Sequence, residues 1–230
     1  MRKLFLPIFI QIVDILFNRI RKRFATDIQF ERQARALRST VDYVEAHMKD
    51  VTSMDSKWKV HQYAISKVSV KGLYLEFGVY KGQTINFIAK QVPQTVFGFD
   101  SFEGLPEFWR DGFDKGTFAL NKLPKVEENV VLVKGYFDQS LPDFLEKFGS
   151  EPIAYLHIDC DLYSSTKTLF EHLKSNIVPG TVIVFDEYFN FPGWEQDEFR
   201  AFKEFIEDNH LNYTYLAYNS LSEQVAVRIG

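Results

Sequence analysis

From Gly72 onward the chain alternates short apolar runs with amphipathic segments. The runs are LYLEF at 73–77, VFGF at 96–99, VVLV at 130–133, IAYLHI at 153–158 and TVIVF at 181–185. Four to six apolar residues without polar alternation suit strands buried on both faces, as in a parallel sheet. The segments between them, QTINFIAK, LPDFLEKF and SSTKTLFEHLKSNI, have helical spacing. In the last, Thr166, Leu169, Phe170, Leu173 and Ile177 share one face, and PGT then closes the helix and starts the next strand. The chain ends in YTYLAY and EQVAVRI, joined by residues 219–222, which reads as a hairpin. This alternation predicts a doubly wound, mostly parallel α/β sheet of seven strands, Rossmann-like, with a C-terminal antiparallel hairpin and ligands at the carboxyl ends of the strands.

Upstream the pattern is helical. In MRKLFLPIFIQIVDILFNRIRKR, Gln11, Asp14, Asn18, Arg21 and Lys22 fall on one face, with Phe9, Ile12, Val13, Leu16, Phe17 and Ile20 on others. Gln11 and Asp14 interrupt the apolar stretch and no small-residue cleavage site follows, so neither a spanning helix nor a signal peptide is expected. Two readings stand for this basic amphipathic helix, residues 1–26. It packs against its own domain or a dimer mate, giving a homo-oligomer, or residues 1–23 make peripheral contact with an anionic membrane surface. Two further helical stretches then form a cap over one side of the main domain, residues 27–69, before an α/β domain at 70–230.

Composition narrows the function classes. Hydrophobic residues make up 46% and charged residues 25% of 230, ordinary for a globular chain, and 23 Phe with 11 Tyr supply an aromatic-rich core or pocket. The net charge of −4 hides an asymmetry: residues 1–23 carry about +5, which leaves the remainder near −9. A body of that sign is a poor general binder of nucleic acid, so no nucleic-acid partner is expected. The single cysteine, Cys160, allows no intrachain disulfide and points to a reducing, cytoplasmic setting.

The candidate chemistry sits at strand ends. LEFGVYKGQT places Gly78 and Gly82 between a strand and a helix, where glycine permits a sharp turn and close approach to a ligand. The spacing Glu76-x-Gly78-x-x-x-Gly82 is not the three-glycine pattern that cradles a pyrophosphate, so a cofactor without phosphates fits better. S-adenosylmethionine is such a molecule, with its amino-acid part along the glycine loop and Glu76 near its ammonium group. Asp100 ends the second run, where an acid can accept hydrogen bonds from both ribose hydroxyls; the competing roles are a tight structural turn for the glycines and a turn or cap aspartate. HIDCDLY and VIVFDEY close two more runs with Asp159 and Asp161, then Asp186 and Glu187. Strands lie about 5 Å apart, so such acids can converge on one hard cation, unless they cap helices or bind backbone amides.

In order, LEFGVYKGQT, FGFDSFEGLPE, GYFDQSLP, LHIDCDLYSST and VIVFDEY resemble the macrocin O-methyltransferase family of class I S-adenosylmethionine-dependent enzymes, over about residues 70–190. The C-terminal hairpin suits that fold better than a nicotinamide-binding one. The resemblance implies cofactor contacts at Glu76, Gly78, Tyr80, Gly82, Asp100 and Ser101, with Phe137 and Asp138 bordering the adenine. It maps a divalent metal, commonly magnesium, to Asp159, Asp186 and Glu187, although the family more often has two aspartates at the last two positions. It also implies methyl transfer to a hydroxyl of a sugar or glycosylated small molecule. Some members use a histidine base after the second strand, and EFWRDGFDKGTFALNKLP has none; the related catechol enzymes place a lysine where this chain has Leu162.

Asp161, two residues past Asp159, is the substitute base, with capping of the helix near Ser164 as its other role. His157 lies inside an apolar strand and reads as a core histidine satisfied by hydrogen bonds. Residues 101–129 are long for a crossover and carry Phe102, Phe108, Trp109, Phe113 and Phe118, as a functional lid would. Phe191 and Trp194 are expected on the opposite wall, facing a sugar or planar ring, or else packed on the sheet. Two other classes remain: a D-x-D metal-dependent glycosyltransferase built on Asp159 and Asp161, and a non-catalytic, membrane-associated methyltransferase-like domain.

Overall fold

Eight strands form one sheet in the order β1-β7-β8-β6-β5-β2-β3-β4 in a computed structural model that describes residues 2–230, with side chains from Ile8 onward. The basic start expected at Arg2 and Lys3 lies outside the described side chains. In chain order the elements are α1 (Arg2–Thr26), α2 (Ile28–His47), β1 (Thr52–Met54), α3 (Lys57–Ser66), β2 (Leu73–Phe77), α4 (Gln83–Ala89), β3 (Val96–Asp100) and β4 (Val130–Lys134). There follow α5 (Phe137–Phe148), β5 (Ile153–Ile158), α6 (Tyr163–Leu173), β6 (Val182–Phe185), α7 (Glu198–Asp208), β7 (Tyr213–Asn219) and β8 (Val225–Ile229). Each of the seven predicted strands is present within two residues of its expected bounds.

The central strands pair parallel, and β8 runs antiparallel between β6 and β7. This is the class I methyltransferase arrangement. β2, β5 and β6 are buried along their whole length, which explains their unbroken apolar runs. The eighth strand, β1, was missed because three residues reading TSM show no apolar run; only pairing with β7 at the edge makes them a strand. Its presence means that residues 27–69 complete the sheet as well as covering it.

Helices cover both faces. Ala36 and Met48 join residues of α5, α6 and α7 in one core cluster, while Val60 and Ala64 of α3 join Ile85, Ile88 and Ala89 of α4 in the other. The cap helices therefore divide between the two faces instead of lying over one. Asp27 ends α1 and caps α2, its side chain accepting from the Phe30 N–H at 3.0 Å. α1 does not pack on the sheet: Ile8, Phe9, Ile12, Val13, Leu16, Phe17 and Ile20 are all exposed. Among the described residues no helix is long and apolar enough to cross a membrane.

Doubly wound sheets leave a crevice where the winding direction reverses, here between β2 and β5. Gly78 lies on its edge with φ +90°, and a Cβ there would stand 1.6 Å from the Asp159 carbonyl oxygen. Gly112 has a similar φ of +91° but open space around it. Gly78→Ala is therefore expected to cost about 2–4 kcal/mol, from steric overlap added to backbone strain, and Gly112→Ala about 1–2 kcal/mol. Thermal unfolding of the two variants side by side checks this, and equal losses would contradict the steric account.

Candidate active site

A cavity of about 770 Å³ opens at the carboxyl ends of the strands. Gly78, Tyr80, Asp100, Ser101, Phe137 and Asp138 line one side of it, and Asp159, Asp161, Asp186 and Glu187 line the other. The crossover rule puts all these residues together, since each follows a parallel strand that ends at the same edge. Of the predicted cofactor residues, Glu76 and Gly82 are not in its lining. Gly82 caps α4 with φ +75°, its α-carbon facing Pro124 and Val126.

Asp100 organises the first side. Its Oδ2 accepts the Val79 and Tyr80 N–H groups at 2.9 and 2.8 Å, and its Oδ1 accepts that of Phe102 at 2.6 Å. The aspartate thus holds the glycine loop as well as bordering the cavity, so the structural turn role is present whatever it binds. Tyr80 and Phe102 sit at φ 45° and 57°, a region that residues with a Cβ seldom occupy, and the carboxylate bonds keep them there.

On the second side, ligand atoms of Asp159, Asp161 and Glu187 all lie within 4.8 Å of one another. Asp161 has φ 65°, and α6 begins at Tyr163 with no side-chain cap, so the capping alternative for Asp161 is not realised. Burial, reinforced by neighbouring Asp186, pushes the Asp159 carboxyl well above its usual range. The Glu187 carboxyl rises for the same two reasons. Burial raises Asp161 to about 7 against the opposing pull of Arg110. Asp186 differs: its Oδ1 is 3.7 Å from Lys57 Nζ and 3.8 Å from His157 Nε2. Burial would raise it, but the nearby His157 imidazole and Lys57 ammonium outweigh that and hold it below the ordinary carboxylate range.

Behind this pair, His157 Nδ1 donates to Glu76 Oε2 at 2.9 Å, both residues fully buried. Burial works against its charge, yet the nearby Asp186 carboxylate and the bond to Glu76 carry the imidazole up to about 10. His157 is a core histidine, as expected, and Glu76 serves it from beneath the cavity floor. Glu76, expected beside a cofactor ammonium group, is thus buried outside the cavity lining and bonded to His157. Burial raises the Glu76 carboxyl, and the His157 bond opposes this.

Three site residues carried no signal of their own in the sequence. Lys57 opens α3 and reaches Asp186 across the fold. Glu198, fully buried, accepts the Cys160 N–H on Oε1 and the Glu187 N–H on Oε2, each at 3.3 Å, and so clamps the two acid-bearing strand ends together. Arg110 lies over the Trp109 ring at 3.8 Å and meets Glu223 at 3.3 Å. Their partners are 129, 11 to 38 and 113 positions away, beyond any local motif.

The lid is present as an irregular segment. Trp109, Phe113 and Phe118 line the cavity, whereas Phe102 is buried and Phe108 faces solvent. Phe191 and Trp194 are buried too and do not line the cavity, so they pack in the core and form no opposite wall. Trp194 stacks edge-on against Tyr43 and Phe199 and donates to Ser39 at 3.0 Å.

The acid cluster fits a hard divalent cation on its donor chemistry. Asp159, Asp161 and Glu187 are all oxygen donors and Glu187 Oε2 lacks a hydrogen-bond partner, whereas Asp186, whose Oδ1 is also unpartnered, groups with His61 and His157. The opposite side fits a phosphate-free cofactor such as S-adenosylmethionine, with the Asp100 and Asp138 carboxylates, the glycine loop and the Phe137 ring.

Residues 75–188 match a methyltransferase domain family. Among curated proteins, the chain is 25% identical over 155 residues to 8-demethyl-8-(2,3-dimethoxy-alpha-L-rhamnosyl)-tetracenomycin-C 4'-O-methyltransferase of Streptomyces olivaceus, covering 55% of this chain and 58% of that one. It is 27% identical over 160 residues to demethyldecarbamoylnovobiocin O-methyltransferase of Streptomyces niveus, covering 58% and 60%. The chain thus spans about three fifths of the length of these curated relatives. Among solved structures, the calicheamicin methyltransferase CalS11 superposes with a TM-score of 0.61 at 23% identity, over 74% of this chain and 77% of the other. The O-methyltransferase NovP gives 0.54 at 20%, over 74% and 76%.

Removing the Asp100 carboxylate leaves three backbone N–H groups without their acceptor. Asp100→Ala is expected to cost about 1–3 kcal/mol. Amide exchange at Val79, Tyr80 and Phe102 should accelerate by at least about tenfold while strand amides stay protected, which hydrogen-exchange mass spectrometry reads directly. Unchanged exchange in the loop would mean that the carboxylate does not hold it.

Proposed function

The chain resembles class I S-adenosylmethionine-dependent O-methyltransferases, and on that premise we propose that it transfers a methyl group from S-adenosylmethionine to a hydroxyl of a sugar or glycosylated small molecule. The observation that carries the reading is the single cavity with a glycine loop and Asp100 on one side and four strand-end acids on the other. The relatives named for methylation of a rhamnosylated tetracenomycin and of a novobiocin precursor support the acceptor class.

Bound S-adenosylmethionine supplies a methyl group on a positively charged sulfur. Gly78, Tyr80, Asp100 and Ser101 would hold its amino-acid and ribose parts, and Phe137 with Asp138 would border its base. The Phe137 ring packs edge-on against the buried Phe77 ring, 5.2 Å away, which fixes its position on the cavity wall.

Asp159, Asp186 and Glu187 would hold a divalent cation, magnesium by the family resemblance, which would supply Lewis-acid activation of the acceptor hydroxyl. Asp161 is the proposed proton acceptor for the acceptor hydroxyl. Its carboxylate lies in the cluster, two residues past Asp159, and burial raises its proton affinity. Glu198 positions Cys160 and Glu187, and through their backbone the acids on either side. Trp109, Phe113 and Phe118 offer ring faces to a sugar, and Arg110 with Glu223 supplies hydrogen-bonding groups beside them. Orientation of two reactants in such a site is worth on the order of 7–11 kcal/mol, so much of the rate can come from positioning.

Calorimetric titration of S-adenosylmethionine, with and without Mg²⁺, tests the reading. Wild type is expected to bind the cofactor in the micromolar range, and Asp159→Asn to weaken Mg²⁺ affinity by at least about tenfold with cofactor affinity retained. Asp161→Asn should keep both affinities and lose about 10²-fold or more in turnover on a panel of glycosylated hydroxyl acceptors. A folded wild type that binds no cofactor overturns the methyltransferase reading; unaltered turnover in Asp161→Asn removes that residue as base.

A further inference from the structure

Ten large apolar side chains of α1, from Ile8 to Phe24, stand 45–67% exposed, an unusual load for one helix of a folded chain. At 3.6 residues per turn they cover an arc of about 220°, from Ile15 and Ile8 through Leu16 and Phe9 to Ile10. The remaining arc, about 140° wide, carries Gln11, Asp14, Asn18, Arg21 and Lys22 within about 100° of it. Four cations, Arg19, Arg21, Lys22 and Arg23, crowd into five positions near its C-terminal end and point in different directions around the axis.

We propose that α1 docks the protein on an anionic lipid bilayer, lying in the interface with its apolar arc among the acyl chains and its cations at the phosphate groups. Three observations select a bilayer over a second copy of the chain. First, Ile10, Val13, Phe17, Ile20 and Phe24 repeat at three- and four-residue steps and could line a two-helix seam, but that seam leaves Ile8, Ile12, Ile15 and Leu16 uncovered. A lipid surface covers the whole arc. Second, a parallel helix pair would bring like charges at Arg19 to Arg23 together and an antiparallel pair would leave them unneutralised at opposite ends, whereas anionic headgroups neutralise them. Third, the rest of the chain is near −9, so attraction to an anionic surface is confined to this segment and orients the molecule on it. The apolar part of the helix is too short and too interrupted by Gln11 and Asp14 to span.

The anchor adjoins the lid. Asp27 links α1 to α2, and Gln29 and Arg32 in the first turns of α2 bond the lid residue Asp111 at 2.7 and 2.8 Å. The inference does not depend on the methyl-transfer reading, since nothing in it uses the cavity.

Vesicle co-sedimentation of the full chain tests it, with vesicles of phosphatidylcholine alone and of equal parts phosphatidylcholine and phosphatidylglycerol. Binding to the mixed vesicles should exceed binding to the neutral ones by at least about tenfold and fall as salt is raised. The triple variant Ile8→Glu, Ile12→Glu, Ile15→Glu should lose it by a similar factor with an unchanged unfolding temperature, because these side chains touch little in the fold. Absent or headgroup-independent binding by wild type, or full binding by the triple variant, overturns the proposal. So does a wild-type dimer in light scattering that fails to bind vesicles and becomes monomeric in Val13→Glu, Phe17→Glu.

Discussion

Crowded negative charge at the ends of β5 and β6 is the constraint around which the site is arranged. Asp159, Asp161, Asp186 and Glu187 end neighbouring parallel strands, so the sheet spacing forces their carboxylates together in a place with little water. Such groups cannot all ionise unless something opposes them. The fold meets this in two ways. Lys57 and the His157 imidazole face Asp186 and keep it charged, and burial with mutual repulsion leaves Asp159, Asp161 and Glu187 with raised proton affinity. What remains is a set of oxygen donors with raised proton affinity, a site that either a proton or a hard cation can complete.

The support for this cluster explains features that have no local purpose. His157 needs a second acid to carry its charge in a core, and Glu76 on the adjacent strand supplies one, since Glu76 and His157 are register partners. α3 is required on its face of the sheet because Lys57 must arrive at the strand ends. Gly78 is required because β2 and β5 come so close there that the Asp159 carbonyl occupies the space of a side chain. The cofactor side is simpler: one carboxylate, Asp100, organises three amides and so stabilises two positive-φ residues at the rim.

The lid shows how packing divides a run of aromatics. Trp109, Phe113 and Phe118 reach the cavity, and Phe191 from beyond β6 backs the Arg110 guanidinium at 4.7 Å without entering it. Arginine stacked between rings and paired with Glu223 is held at one place on the cavity wall, a fixed hydrogen-bonding feature beside adaptable apolar surface. The protein therefore joins a rigid acidic floor to an irregular aromatic wall.

Seven strands, their parallel order of succession, the closing hairpin and the acids at strand ends were legible in the chain itself, because burial on both faces demands continuous apolar runs and ligand-side residues follow them directly. The amphipathic character of α1 was legible for the same reason. Three matters were decided only by tertiary structure. The edge strand Thr52–Met54 exists through its pairing with β7 and has no pattern of its own. Glu76 and Asp100 stand near the ends of neighbouring strands, but Glu76 is buried and bonded to His157 while Asp100 meets the loop amides. Lys57, Arg110 and Glu198 acquire roles only from groups distant in sequence. Periodicity reports how a residue sits relative to its own strand or helix; which charge it faces depends on how separate elements are laid against one another, and that information is carried by the packed fold.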